Sequence, residues 1–266
     1  MTESRSELPP RPTKWGAESA AWGFGLFAAC RALSIGLDAL PLAASMAQAV
    51  LVDWGASRAG LASTRPDVRT AIARAAKGTA AGFGVSAMLA STLWLTHSLR
   101  VERVDHLEVS VLGIGLLTAA LRAWRDEIIL HGITLRALES TSLSALSRVL
   151  ACGITSAGAA LGDSGATAST VASSMLLGVI FGALWHPGSP SSGALVPWAA
   201  HTALRWSLDT LLLGGLAHAR LGESAWAGGS SGFLAGAAAS VAIAPLTFAA
   251  VAWTLATMSP PRPRLG

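Results

Sequence analysis

The chain has 266 residues, of which 52% are hydrophobic and only 13% charged, and its mean hydropathy is +0.52. A soluble domain carries about 25% charged residues, so this composition argues against a soluble enzyme and for a polytopic membrane protein with little mass outside the bilayer. The formal charge of +4 and a pI near 10.0 invite nucleic acid as a partner. The basic residues cluster in short connections between apolar runs, however, where they act as topology determinants; the partner they imply is the lipid bilayer, with no nucleic acid. The two cysteines, Cys30 and Cys152, lie in apolar runs and suggest neither a disulfide framework nor a metal cluster.

A membrane span takes about 20 mostly apolar residues, and the sequence predicts about eight, an all-α bundle. Residues 1–17 are polar and contain Pro9, Pro10 and Pro12; they read as a tail, with no cleavable signal peptide. The first two spans share residues 20–57, with a turn offered by Asp38 and Pro41. The third covers about 78–98, the fourth 109–131 and the fifth 142–161. Gly162-Asp163-Ser164-Gly165 is a turn before the sixth, at 166–186. The seventh is placed at 195–217 and the eighth at 231–257, so that the embedded domain is 18–258. Residues 259–266 form a Pro/Arg tail.

Charge asymmetry orients the bundle. Fourteen basic residues fall on the side of the termini, from Arg5 to Arg264, against Arg100, Arg103 and Arg220 on the other side. The excess predicts both termini in the cytoplasm, and the composition points to a bacterial inner (plasma) membrane. Alanine-, glycine- and arginine-rich composition suggests a GC-rich bacterial genome. With this topology Asp126, Glu127, His186 and His201 fall at one depth, near the cytoplasmic leaflet, and could share one cavity.

Ionisable side chains inside a bilayer are costly and usually functional. Residues four apart share a helix face, which pairs Arg122 with Asp126, Glu127 with His131, and sets His201, Arg205 and Asp209 in one row. Carboxylates beside histidines at low dielectric are a route to a general base that activates water, with His201 or Arg205 placed to hold an oxyanion. The other histidines, His97, His106 and His218, lie near the opposite face and are assigned no chemistry. Arg31 and Asp38 read as structural charges that pair with other spans. Gly82-x-Gly84, Gly113-x-Gly115 and Gly214-Gly215 read as sites of close helix packing.

The pattern Asp126-Glu127-x-x-x-His131-Gly132, then Phe181…His186, then His201-x-x-x-Arg205 resembles the CPBP (Abi) family of CAAX-protease and bacteriocin-processing intramembrane endopeptidases, over residues 109–215. The family pattern has Glu-Glu-x-x-x-Arg-Gly, Phe-x-x-x-His and His-x-x-x-Asn or Asp. Here Asp126 replaces the first Glu, His131 the Arg, Arg205 the Asn, and Phe181 lies five residues before His186 rather than four. The resemblance implies a metal-independent, glutamic-type protease without a cofactor. It implies that Asp126 and His186 activate water, that Glu127 and His131 position the site, and that His201 and Arg205 hold the oxyanion, with Asp209 one turn further on. The implied substrate is a membrane-anchored peptide or protein tail; bacterial members include the myxosortases, proposed to remove C-terminal sorting tags. Two alternatives stand beside it. One is a Zn2+ site built from His186, His201 and Glu127. The other is an inactive relative serving as a membrane scaffold.

Overall fold

The computed structural model describes residues 14–61, 66–163, 165–185 and 193–258. His186, residues 1–13 and residues 259–266 lie outside the described residues, and residues 14–17, expected as the end of a tail, are the first turn of a helix. The fold is nearly all-α. Its elements are α1 (Lys14–Gly36), α2 (Pro41–Arg58), α3 (Val68–Leu95), β1 (Leu99–Arg103), α4 (Val109–Asp126), α5 (Ile133–Leu138), α6 (Ala145–Leu161), α7 (Ala168–Trp185), α8 (Leu195–Trp206), β2 (Ala217–Leu221) and α9 (Ala237–Met258). The break between α1 and α2 falls at the Asp38–Pro41 turn, with Pro41 in the first turn of α2, where its missing N–H has no partner to lose.

Three described helices are long and apolar enough to cross a membrane: Val68–Leu95, Ala168–Trp185 and Ala237–Thr257. The other helical segments are shorter, or carry charge where they pack into the bundle, as α4 does with Arg122, Arg125 and Asp126.

Two departures from the sequence reading are local. A two-stranded antiparallel sheet pairs β1 with β2, Leu99 opposite Leu221 and Arg103 opposite Ala217. The expected seventh span, placed to residue 217, stops at Leu211, because Gly214 takes a φ of +120°, which favours glycine, and the chain turns into β2. The second departure is the helix geometry of two motif segments. Glu127–Gly132 and Ser207–Leu211 are π-helical, the first joining α4 to α5 without a break. A π segment widens the helix and leaves carbonyls for other partners; the Leu130 carbonyl accepts the Thr155 hydroxyl of α6 at 2.8 Å.

The core forms where α3, α7, α8 and α9 meet, around Leu89, Leu93, Phe181, Leu204 and Ile243. Glycine sets the closest approach. A Cβ on Gly78 or Gly82 of α3 would fall on the carbonyl oxygen of Val196 or Ala200 of α8. Small residues at such a seam let helix backbones touch, the main source of packing energy where the solvent is lipid. Of the other glycines singled out in the sequence, Gly115 and Gly215 pack against Thr210, while Gly84 and Gly113 face open space.

The seam makes a prediction. Gly82→Leu forces a side chain onto the α8 backbone, and overpacking of this kind destabilises by about 1–3 kcal/mol. Thermal unfolding in detergent should show a clear fall in midpoint for Gly82→Leu and almost none for Gly84→Leu.

Candidate functional site

The π-helical segment presents Glu127 to the bundle interior. Glu127 and His131 are 0% exposed and Asp126 is 9% exposed. A buried carboxylate is tolerated only when hydrogen bonds replace its water, and Glu127 has three. His131 Nδ1 donates to Oε2 at 2.9 Å, Trp185 Nε1 donates to the same oxygen at 3.0 Å, and His201 Nδ1 donates to Oε1 at 2.9 Å. These donors come from the same helical run, from the last residue of α7, and from α8.

Gly132 has a specific reason to be glycine. A Cβ there would lie 2.8 Å from the Trp185 ring, so the indole reaches Glu127 only because position 132 has no side chain. Phe181 fills the space between the two histidines. It stacks on His201 with centroids 4.7 Å apart and meets His131 edge-on at 5.9 Å. His131 Nε2 contacts the Ser156 hydroxyl of α6 at 3.2 Å.

Asp126 occupies a second arm of the same network. Arg125 Nε donates to its Oδ1 and Arg205 Nη2 to its Oδ2, both at 2.7 Å. Arg205 Nε also donates to His201 Nε2 at 3.0 Å. An arginine only donates, so His201 Nε2 accepts; this assigns the ring proton to Nδ1, where it serves Glu127, and makes His201 a neutral link between the two acids. With both acids ionised, Arg125 and Arg205 supply two compensating positive charges. Behind Arg125, the Gln48 side chain of α2 accepts from Nη1 at 2.8 Å and is itself tied to the Cys30 carbonyl and the Ser34 hydroxyl of α1.

A cavity of about 220 Å3 borders this network. Asp126, His131, His201 and Arg205 line it, whereas Glu127 lies behind them. From there it runs past Phe181 and Leu177 to Ser174, Asp209, Arg31 and Asp163. Asp163 and Asp209 are exposed, so the cavity opens at the end of the bundle that holds the α6–α7 turn. The expected opening was at the other end, beside the α5–α6 connection. The reason for the difference lies in α8. His201, Arg205 and Asp209 rise along it from the α7–α8 end toward the α6–α7 end, and the space beside them rises with them.

The structure thus brings together Asp126, Glu127, His131, His201 and Arg205. Asp209 sits in the second π segment and lines the outer part of the cavity rather than joining the hydrogen-bonded cluster. His186 lies outside the described residues, one position beyond Trp185. The expected Arg122–Asp126 pair gives way to other partners: Arg122 Nε donates to the Ser45 hydroxyl at 3.3 Å, and Asp126 takes Arg125 and Arg205. Arg31 does pair with another element, the α6–α7 turn, through Asp163 and the Gly162 carbonyl, while Asp38 lies in the α1–α2 turn. Trp185, Ser156, Gln48 and Arg125 are site residues that the sequence motif did not reveal. The only signals in the sequence were the indole next to His186 and isolated polar residues in apolar runs.

No group of three or more metal-ligating side chains occurs among the described residues. Of the zinc alternative, His186 lies outside those residues and Glu127 and His201 are committed to other partners. Both nitrogens of His201 are engaged, and the Arg205 guanidinium stands 3.0 Å from the one that would face a metal.

No family model matches this chain, and neither does any curated protein or solved structure.

Breaking the cluster one-sidedly should be severe. Arg205→Met leaves Asp126 with one cation and His201 without its Nε2 donor; loss of one partner of a buried pair destabilises by about 3–5 kcal/mol. The double variant Asp126→Leu, Arg205→Met removes both charges and should recover much of that loss. Thermal unfolding of the two variants in one detergent checks the order.

Proposed function

We propose that this protein is an intramembrane endopeptidase of the bacterial plasma membrane. It spans the membrane about eight times with both termini in the cytoplasm, and it hydrolyses a peptide bond in a membrane-anchored peptide or protein tail without a metal cofactor. The observation that carries this reading is the division of labour between the two acids. Asp126 faces the cavity, where a water and a substrate carbonyl would meet. Glu127 sits behind it, fully hydrogen-bonded, and fixes both histidines. The resemblance to CPBP endopeptidases implies the same split, with the first acid acting on water and the second positioning.

The chemistry follows from these placements. An ionised carboxylate offers about four acceptor positions on its two oxygens. Arg125 and Arg205 take one on each oxygen of Asp126, which leaves room for a water to donate to it. The water attacks the scissile carbonyl, its proton passes to Asp126, a role that the resemblance alone extends to His186, and the developing oxyanion is held by Arg205, whose guanidinium has donors beyond the two it commits. Collapse of the tetrahedral intermediate expels the amine, which takes up the proton. The reaction consumes one water and leaves a new carboxylate and a new amine.

One observation favours a second reading, the inactive scaffold. Asp126 already neutralises two guanidinium groups, and in the cluster as it stands His201 has no free nitrogen. An Asp126→Asn variant distinguishes the two. It keeps the size and one carbonyl oxygen but cannot accept a proton, and loss of a general base lowers rates by about 10²–10⁴-fold. Membrane-protein fragments compared between cells expressing wild type and equal amounts of Asp126→Asn should show uncut precursors only in the variant. Identical fragment patterns would leave the scaffold as the better account.

A further inference from the structure

The cavity constrains how a substrate reaches the site and from which side. Its depth can be followed residue by residue. Ser156 of α6 lies level with His131, and α6 continues from there to Leu161 and the turn at Asp163. α7 starts beside that turn and descends through Ser174 and Phe181 to Trp185, which meets Glu127. α8 then climbs back from His201 to Arg205. Cavity-lining Ser174, Asp209, Asp163 and Leu234 therefore all lie on the α6–α7-turn side of the acid–histidine cluster, and exposure rises in that direction. The same end carries β1 and β2, since β1 follows α3 and β2 follows α8. The opposite end carries the α5–α6 connection around Thr141.

Charge identifies the two ends. Arg122 and Arg125 belong to the helix and the site, not to a connection, so they drop out of the orientation count. Among the described residues, Lys14, Arg58, Arg69, Arg74, Lys77, Arg136 and Arg148 remain toward the Thr141 end, against Arg100, Arg103 and Arg220 on the β1–β2 side and Arg31, which binds the α6–α7 turn there. The excess still places the Thr141 end in the cytoplasm.

We infer that the site receives its substrate from the extracytoplasmic side, as a segment of a polypeptide that has already crossed the membrane, and not as a cytoplasmic tail. This builds on the endopeptidase reading for the word substrate, but the direction of access rests on the cavity and the charge asymmetry.

Cysteine accessibility tests it without any cleavage assay. In the full chain with Cys30 and Cys152 replaced by alanine, single cysteines are placed at Ser174 and Leu234 in the cavity, at Asp105 beyond β1, and at Thr141. Each is treated with a charged, membrane-impermeant maleimide in right-side-out and in inside-out vesicles. The expected result is labelling of Ser174→Cys or Leu234→Cys together with Asp105→Cys in right-side-out vesicles, several-fold above inside-out, and the reverse for Thr141→Cys. The inference is overturned if the cavity cysteines label with Thr141→Cys. It is overturned equally if Asp105→Cys labels only in inside-out vesicles, or if neither cavity position labels from either side while both references do. None of these outcomes depends on whether the protein cuts peptides, so a failed direction and a failed protease reading give separate results.

Discussion

The burial of Glu127 is the constraint around which the rest is arranged. A carboxylate with no solvent contact must find its hydrogen bonds inside the protein, and no single helix can supply three donors to one side chain in this geometry. His131, Trp185 and His201 do so from three parts of the chain. That requirement fixes where α7 ends relative to the α4–α5 run, and which residue of α8 faces inward. It explains Gly132, which clears the way for the indole at the end of the π segment that begins at Glu127. Hydrogen-bonded and charge-balanced by Arg125 and Arg205 through His201 and Asp126, the cluster is compatible with a low-dielectric interior, where an unpaired ion costs several kcal/mol.

The same arrangement gives the two acids different surroundings. Glu127 is spent on structure: all its bonds point to protein, and none to the cavity. Asp126 differs by one position in the chain and by its surroundings, since it borders open space and its partners leave acceptor capacity. The proposed hydrolysis needs that difference. Asp126 ends α4 and Glu127 starts the π segment, so two adjacent acids serve two environments without competing for one water. Arg205 joins the two arms, since it holds Asp126 and fixes the His201 proton on the side of Glu127.

Much of this could be read from the sequence, for identifiable reasons. The helices were legible because long apolar runs are bounded by Pro41, by Gly162-Asp163 and by clustered arginines. The meeting of Glu127 with His131 and His201 was legible because each charged group interrupts an apolar run and the turns set all of them at one depth. What remained hidden depends on three-dimensional packing. A tryptophan at a helix end reads as an interfacial anchor, and only the Gly132 contact turns Trp185 inward. Ser156 and Gln48 are single polar residues whose partners lie 25 and 77 positions away. The π geometry leaves no mark in a periodicity count over six residues, and the β1–β2 pairing joins segments separated by over a hundred positions. The side on which the cavity opens follows from the void beside α8, which no local pattern encodes.

The central claim is that water activated at Asp126 cleaves a peptide bond within this bundle. The most direct measurement is incorporation of oxygen from solvent. Purified protein in lipid nanodiscs is incubated in 18O-labelled water with membrane proteins extracted from cells lacking it, and new C-termini are read by mass spectrometry. The account predicts new C-terminal carboxylates carrying one solvent oxygen with wild type and none with Asp126→Asn. No new labelled C-termini with wild type, or equal labelling with both proteins, would contradict it.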